Sequence, residues 1–313
     1  MIHSGSPKLS IVIPLYRSEE SIPELVERLF SSLSAKISFE IIFVDDGSPD
    51  QSWDIVSNLS ESTPEIRGIR LSRNFGQHNA ISAGIDAATG QFVAVMDADL
   101  QDAPEDLPPM FDSLVNSNAF AVIARRAKRV DSKAKKMGSK LFWHLYKLLT
   151  GVNVDSNIGN FGIYSREIID SVLLMKEQHR AFGLFVAWTG FPIIYFDVER
   201  SPRAYGKSSY SLRKLLNLGA SGIISYSDRL LKINALVGIV LAFLALIAGI
   251  GEIIAWFFFS AVTPGWTSLI VVMLFSTGLI LTGLGILGIY VSQVFEESKK
   301  RPIYLVRDEI NKP

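Results

Sequence analysis

The sequence predicts an α/β domain on a mostly parallel, helix-covered sheet, followed by amphipathic juxtamembrane helices and two transmembrane helices. Three observations carry this. Short apolar runs alternate with stretches of helical spacing through residues 9–124. Three of the apolar runs end in polar or turn-forming residues, at Pro14, at Asp45-Asp46 and at Asp97 with Asp99. Beyond residue 232 come two long, nearly uncharged runs.

The elements follow in order. Residues 9–13 (LSIVI) read as a buried strand stopped by Pro14. Residues 21–34 have helical spacing, with Ile22, Leu25, Leu29 and Leu33 on one face and Ser21 as the cap. Residues 39–44 (FEIIFV) are a second strand, running into Asp45-Asp46-Gly47-Ser48. A helix near 50–60, a strand near 66–71 and a helix across 76–88 come next. The fourth strand is 91–96, then a helix near 105–117 and a strand at 120–124. Ligands of such sheets bind beyond the carboxyl ends of the strands, where these polar groups gather.

Composition narrows the function. The chain has 313 residues, room for one domain and an appendage. Its net charge of +0 gives no pointer to nucleic acid, which is not expected as a partner. It has no cysteine, so disulfide, zinc-thiolate and thiol chemistry are excluded. The first residues, MIHSGSPKLS, show no basic stretch followed by an apolar one, so the front domain is expected in the cytoplasm.

The densest chemistry lies in QFVAVMDADLQD, residues 91–102. Residues two apart on an extended segment point the same way, about 7 Å apart. Asp97 and Asp99 therefore converge just past a strand end, and two carboxylates that close call for a cation between them. Oxygen donors suit Mg²⁺ or Mn²⁺, ions that usually also hold substrate phosphates. An isolated Asp-x-Asp is more often a solvated turn; the neighbouring strand ends favour the metal–diphosphate reading here.

Residues 233–259 carry one charge, Glu252, and residues 267–292 carry none. Each exceeds the roughly 20 residues that cross a bilayer. The joining stretch SAVTPGW has no Lys or Arg. Lys207, Arg213, Lys214, Arg229 and Lys232 precede the first run, and Lys299, Lys300 and Arg301 follow the second. This asymmetry puts both flanks in the cytoplasm. Leu212, Leu215, Leu216, Leu218, Ile223 and Ile224 give residues 209–231 an apolar face suited to the membrane interface. The chain thus divides into a cytoplasmic domain (1–208), an interfacial segment (209–232), a membrane hairpin (233–292) and a cytoplasmic tail (293–313). It is expected in the inner or plasma membrane as a multi-pass protein.

Taken together, the stretches IVIPLYRSEES, EIIFVDDGSPD, LSRNFGQHNAISAGIDAATG, MDADLQDAPE, FGLFVAWTGF and ERSPRAYGKSSYSLRKLL resemble the polyprenyl-phosphate glycosyltransferases of glycosyltransferase family 2. That group includes dolichyl-phosphate mannose synthases and bactoprenol glucosyltransferases, and the resemblance covers nearly the whole chain. It implies a GT-A fold, Rossmann-like. It implies transfer, with inversion and a divalent metal, of a sugar from a nucleotide-sugar such as UDP-glucose to a polyprenyl phosphate on the cytoplasmic membrane face. The product is a lipid-linked sugar for glycan assembly or modification.

By the same resemblance Pro14, Tyr16, Asp45, Asp46 and Ser48 hold the nucleotide, with Arg73, Asn74 and Gly76 of the RNFGQ stretch. Asp97, Asp99 and Gln101 bind Mg²⁺ or Mn²⁺. Arg203 meets the acceptor phosphate, and Arg125 lies near donor or acceptor phosphate. The partners implied are the donor, the acceptor, the bilayer and further copies of the chain, joined through membrane and juxtamembrane helices. Gly278, Gly283, Gly285 and Gly288 would allow close helix contact.

The chain departs from the pattern in three places. The usual Asn-Glu after the first-strand Tyr is Arg17-Ser18, and Glu19 is the residue placed to take over. The GDFRL-like stretch reads Gly159-Asn160-Phe161-Gly162-Ile163, so an Asp discussed as a base is Asn160 and an Arg is Gly162. The Lys of the GxSKY-like stretch is Ser209, with Lys207 two positions earlier. An acceptor phosphate monoester has a second pKa of about 6 and is mostly dianionic near neutrality, so Asn160 is compatible with turnover. Two other functions compete: a nucleotide-sugar-binding scaffold without turnover, and a processive polysaccharide synthase. The second is disfavoured by two spans and no QxxRW. Phe182, Trp188 and Phe191 are expected in core packing, and His78 in a helix-face hydrogen bond.

Overall fold

The computed structural model describes residues 7–126, 158–199, 229–259 and 265–312. They form two compact units. One holds residues 7–126, 158–199 and 301–312; the other holds 229–259 and 265–300.

The first unit is a single sheet covered by helices. Strands β1 (Leu9–Leu15), β2 (Phe39–Asp45), β3 (Ile66–Leu71) and β4 (Phe92–Val95) are almost wholly buried, as parallel strands covered on both faces must be. Helices α1 (Ile22–Leu33), α2 (Ser52–Ser62) and α3 (Gln77–Ala87) connect them, and α4 (Leu107–Val115) follows β4. In α1 the buried residues are Ile22, Leu25, Leu29 and Leu33, the face read from the spacing. Ser21 does occupy the cap position, but its hydroxyl donates to the Ser18 carbonyl at 3.1 Å and caps no helix N–H. Ser21 already has a helical φ/ψ, which turns its side chain away from the first-turn amides.

After β5 (Ala121–Arg126) the described chain continues with β6 (Ile158–Ser165), α5 (Arg166–Leu174), α6 (Phe182–Trp188) and β7 (Ile193–Val198). A last strand, β8 (Val306–Ile310), comes from the segment read as a tail. The sheet order is β7-β5-β6-β4-β1-β2-β3-β8. β4-β1-β2-β3 are parallel neighbours and β5 pairs parallel with β7, while β6 and β8 run antiparallel to their neighbours. Chain order reverses between β1 and β4, and the crevice beyond the carboxyl ends at such a reversal is where ligands bind.

The second unit is an antiparallel pair, α7 (Arg229–Phe259) and α8 (Trp266–Ser298). Both contain stretches long and apolar enough to cross a membrane, Leu231–Ala248 and Phe275–Ser298. At 31 residues α7 is ~46 Å long, more than the ~30 Å hydrocarbon core. Their apolar side chains are exposed, as at Ile239 (67%) and Phe275 (61%), whereas core helices of a soluble domain would bury them. Asn234 of α7 packs on Gly283 of α8, where a Cβ would stand 3.0 Å from its Nδ2. Gly278, Gly285 and Gly288 face nothing within 4 Å. Residues 209–228 of the interfacial segment and the side chain of Glu252 lie outside the described residues.

Candidate active site

The residues read as a donor site sit on four chain segments, and hydrogen bonds join them in sequence. β1 ends at Leu15 opposite Asp45 of β2, with Pro14 opposite Val44. Past β1, Tyr16 is 47% exposed and Arg17 has a φ of 56°, a left-handed conformation uncommon for a residue with a side chain. It is held there by its N–H, which donates to Ser48 Oγ at 3.2 Å. Such strained positions gather at functional sites. Glu19 accepts from the Gln51 N–H at 2.8 Å, just ahead of α2.

Asp45 and Asp46 are buried, and burial pushes both carboxyls up from their ordinary range. Asp45 Oδ1 accepts from the Ser48 N–H at 3.1 Å. Its Oδ2 makes no hydrogen bond, with Arg70 Nε at 3.5 Å. Asp46 clamps the loop after β3: its two oxygens accept from Phe75 N at 2.6 Å and Gly76 N at 2.9 Å. Gly47 lets the two loops meet. Its φ is +67°, and a Cβ would stand 2.7 Å from the Arg73 carbonyl carbon and 2.8 Å from Asn74 N. Arg73 and Asn74 are exposed at this junction, with the Arg73 guanidinium 4.1 Å from the Phe75 ring centroid.

The same loop reaches the Asp-x-Asp stretch. Gly76 (φ 96°) releases the chain into α3, and the first residue of α3, Gln77, donates from Nε2 to Asp97 Oδ1 at 2.6 Å. Gln77 was not among the residues singled out from the sequence. Its place as the last letter of RNFGQ, at a helix start, was the available signal. Asp97 and Asp99 are half-buried beyond β4. Asp99 Oδ1 accepts from Gln101 N at 3.2 Å, and Leu100 between them is left-handed at φ 55°. Gln101 is 8% exposed, and its Oε1 is buried with no hydrogen-bond partner. An orphaned carbonyl oxygen on the same turn as two carboxylates fits a hard divalent cation. Among the described residues no group of three or more His, Cys, Asp or Glu could hold an ion. This donor set therefore suits an ion that takes its remaining ligands from water or phosphate.

Arg125 lies at the end of β5. In the register Val95 pairs with Gly162 and Gly162 with Ile123, so the ends of β4 and β5 lie at one level with β6 between them, about 10 Å apart. An irregularity between Ile123 and Arg125 shifts the β5–β6 register, and Arg125 turns to Asp197 of β7. The pair is bidentate, Nε to Oδ1 at 2.8 Å and Nη2 to Oδ2 at 3.2 Å, and the guanidinium holds the Asp197 carboxyl below its usual range. Arg203 lies outside the described residues.

Of the two departures on β6, the one at Gly162 has a structural cause. A Cβ at Gly162 would lie 2.8 Å from Tyr164 Oη and 2.9 Å from the Val122 carbonyl oxygen. Tyr164 is fully buried, burial pushes its phenol up, and it donates to the Asn160 carbonyl at 3.3 Å. Its ring fills the lane along β6 that a side chain at 162 would need. Phe182 is buried against it, ring centroids 5.0 Å apart. Trp188, expected in the core, is 79% exposed, because it ends a short helix whose buried face is spent on Phe182, Phe185 and Val186. His78 Nδ1 accepts from the Phe182 N–H at 3.4 Å, and burial, then Arg180, holds its pKa down.

Comparison with known proteins places this geometry. Residues 10–173 match the model for "Glycosyl transferase family 2". A prophage bactoprenol glucosyl transferase homolog of Escherichia coli K12 is 32% identical over 303 residues, covering 96% of this chain and 98% of its own. The bactoprenol glucosyl transferase of Shigella phage SfV is 32% identical over 97% of this chain and 100% of its own. An uncharacterised glycosyltransferase of Synechocystis is 34% identical over 96% and 95%. Among solved structures, glucosyl-3-phosphoglycerate synthase of Mycobacterium tuberculosis, in complex with Mn²⁺, UDP and phosphoglyceric acid, superposes with a TM-score of 0.50 at 17% identity. It covers 70% of this chain and 76% of its own. The sheet order, the strand-end carboxylates and the full-length likeness agree: the chain belongs to glycosyl transferase family 2 and is a glycosyltransferase with a GT-A fold.

Proposed function

We propose that this protein transfers a hexose from a UDP-sugar, UDP-glucose being the leading candidate, to a polyprenyl phosphate. The observation that supports this most is the likeness to bactoprenol glucosyl transferases over 96–97% of the chain, apolar hairpin included. A soluble acceptor would need no such hairpin. The hairpin would hold the sugar-transfer domain to the bilayer that carries the lipid. With both flanks of the hairpin cytoplasmic, transfer takes place on that face, and contact between α8 glycines would join copies of the chain.

The chain's own residues do the following. Asp46 closes the 73–76 loop over the strand ends. Gln77 fixes the direction of Asp97, and Asp99 fixes the turn that aims Gln101. Asp97, Asp99 and Gln101 would hold Mg²⁺ or Mn²⁺, which when bound supplies positive charge for the leaving diphosphate. Pro14, Tyr16, Asp45, Ser48, Arg73 and Asn74 line the nucleotide side, with Glu19 behind them at the start of α2. A phosphate oxygen of the lipid attacks the anomeric carbon from the face opposite the diphosphate. The bond to the diphosphate breaks, UDP leaves and the configuration inverts. That oxygen carries no proton to remove, so Asn160 suffices where a base would be needed for a hydroxyl acceptor. Arg203, and Arg125 once it exchanges Asp197 for phosphate, offset repulsion between the two anions.

The test is direct. Full-length protein in mixed micelles is given radiolabelled UDP-glucose, UDP-N-acetylglucosamine or GDP-mannose with undecaprenyl phosphate. Label in the organic phase from a UDP-sugar supports the proposal. Label only in long water-soluble polymer would indicate a polysaccharide synthase. Nucleotide-sugar binding without any product would indicate a scaffold.

A further inference from the structure

The segment that follows the membrane hairpin does not hang free. Arg301 to Leu305 cross the surface of the first unit before β8 begins. Gln178 Nε2 donates to the Arg301 carbonyl at 2.6 Å. Tyr304 Oη donates to Asp86 Oδ2, at the last turn of α3, at 2.9 Å. The Leu305 carbonyl accepts from the Ser72 N–H at 2.9 Å. β8 then pairs with β3, and Asn311 Nδ2 donates to the Ser60 and Ile66 carbonyls at 2.6 and 2.9 Å.

These contacts bracket one loop. Ser72 is the residue before Arg73, and Asp86 is on the helix that starts at Gln77. Between them lies the stretch that gives Phe75 N and Gly76 N to Asp46 and Gln77 Nε2 to Asp97. The loop is thus tethered at its entrance by Leu305 and along its exit helix by Tyr304. Both tethers come from the chain emerging from α8.

We propose that the 301–310 strap is a positioning element of the donor site, with Tyr304 as its pin, so that the chain leaving the membrane helps hold the nucleotide loop closed. This rests on the reading of that edge as the UDP-sugar site. Removing one such hydrogen bond shifts a local equilibrium by roughly two- to tenfold.

The experiment uses full-length Tyr304→Phe and Asp86→Ala proteins, each lacking the pin by a different route. Hydrogen exchange of the Phe75 and Gly76 amides is read first, because it needs no activity. Exchange faster by about two- to tenfold in both variants is expected. Unchanged exchange overturns the proposal, whatever the protein's function. Kinetics are then read with UDP-glucose and undecaprenyl phosphate. The donor KM should rise by a similar factor with kcat and acceptor KM within about twofold. A lower melting temperature with an unchanged donor KM would make the strap merely structural and also overturns it. Faster exchange in an enzyme that ignores UDP-sugars would leave the strap's hold on the loop standing and sink the donor reading alone.

Discussion

Replacing Asp46 with Asn tests how firmly the 73–76 loop is built. The carboxylate accepts two backbone N–H groups, at 2.6 and 2.9 Å, and is 3% exposed. Asparagine keeps one acceptor and turns an amide NH₂ toward the other N–H. One charge-assisted bond of about 1.5–3 kcal/mol is lost, and the other falls to the neutral value of about 1 kcal/mol. The amide has no charge to bury, which recovers part of the loss and leaves about 2–4 kcal/mol. That is roughly 30- to 1,000-fold in the closed-to-open ratio of the loop. UDP affinity falls by at most this factor, and by less where the closed form starts in large excess. Calorimetric titration of Asp46→Asn protein with UDP and Mg²⁺ should give a Kd raised by about tenfold or more. A Kd equal to that of the wild type would show that the Asp46 clamp does not limit nucleotide binding.

Three further outcomes follow from other parts of the molecule. Gly162→Ala forces a methyl against the Val122 carbonyl and the Tyr164 hydroxyl; it should cost about 1–3 kcal/mol and lower the melting temperature by about 2–12 °C, with partial recovery on adding Tyr164→Phe. No change in melting would mean that β6 has room for a side chain there. Burial alone would raise the Glu40 carboxyl, but hydrogen bonds from Ser10, Arg67 and Thr89 outweigh it and hold the pKa below the ordinary 4.5. The carboxylate therefore adds stability above that value and loses it as pH falls through the lowered folded pKa, so Glu40→Gln should flatten the acid limb of a melting-temperature profile. Arg203→Ala should cut turnover at limiting acceptor by about one to two orders of magnitude with UDP affinity unchanged, and Arg203→Lys should recover it in part; steady-state kinetics in acceptor and donor separate the two.

Much of the fold was legible because buried parallel strands must be apolar and covered helices must be periodic. β1 to β5 and α1 to α4 fall within a few residues of their expected places. The strand-end groups followed from the same pattern, since Asp45 and Asp97 are where apolar runs stop. β6 and β8 were missed for opposite reasons. Ile158–Ser165 begins Ile-Gly-Asn, which lacks strand periodicity, and pairing with β4 and β5 decides it. Val306–Ile310 is VRDEI, a charged edge strand with only one apolar residue at either end, whose partner β3 lies more than 200 residues away in sequence. Ser21 failed as a cap because its backbone was already helical. Gln77 and the Asp46 clamp escaped because a contact between two loops is not written in either loop alone. The residues at Gly162 and Asn160 looked like losses in the sequence. Beside Tyr164 the glycine reads as room left for a buried ring, and Asn160 lends that ring's hydroxyl only its main-chain carbonyl.

The central claim is that the ends of β1, β2 and β4 hold a nucleotide diphosphate through a divalent ion on Asp97, Asp99 and Gln101. Mn²⁺ titration of the full-length protein, followed by electron paramagnetic resonance with and without UDP, tests it most directly. With two carboxylates and one amide oxygen as its protein ligands, the ion should bind weakly alone. It should bind at least about tenfold more tightly with UDP, and UDP more tightly with Mn²⁺ by the same factor. Asp97→Ala and Asp99→Ala should each abolish that coupling. Equal Mn²⁺ affinity with and without UDP, or coupling that survives in both variants, would contradict the site.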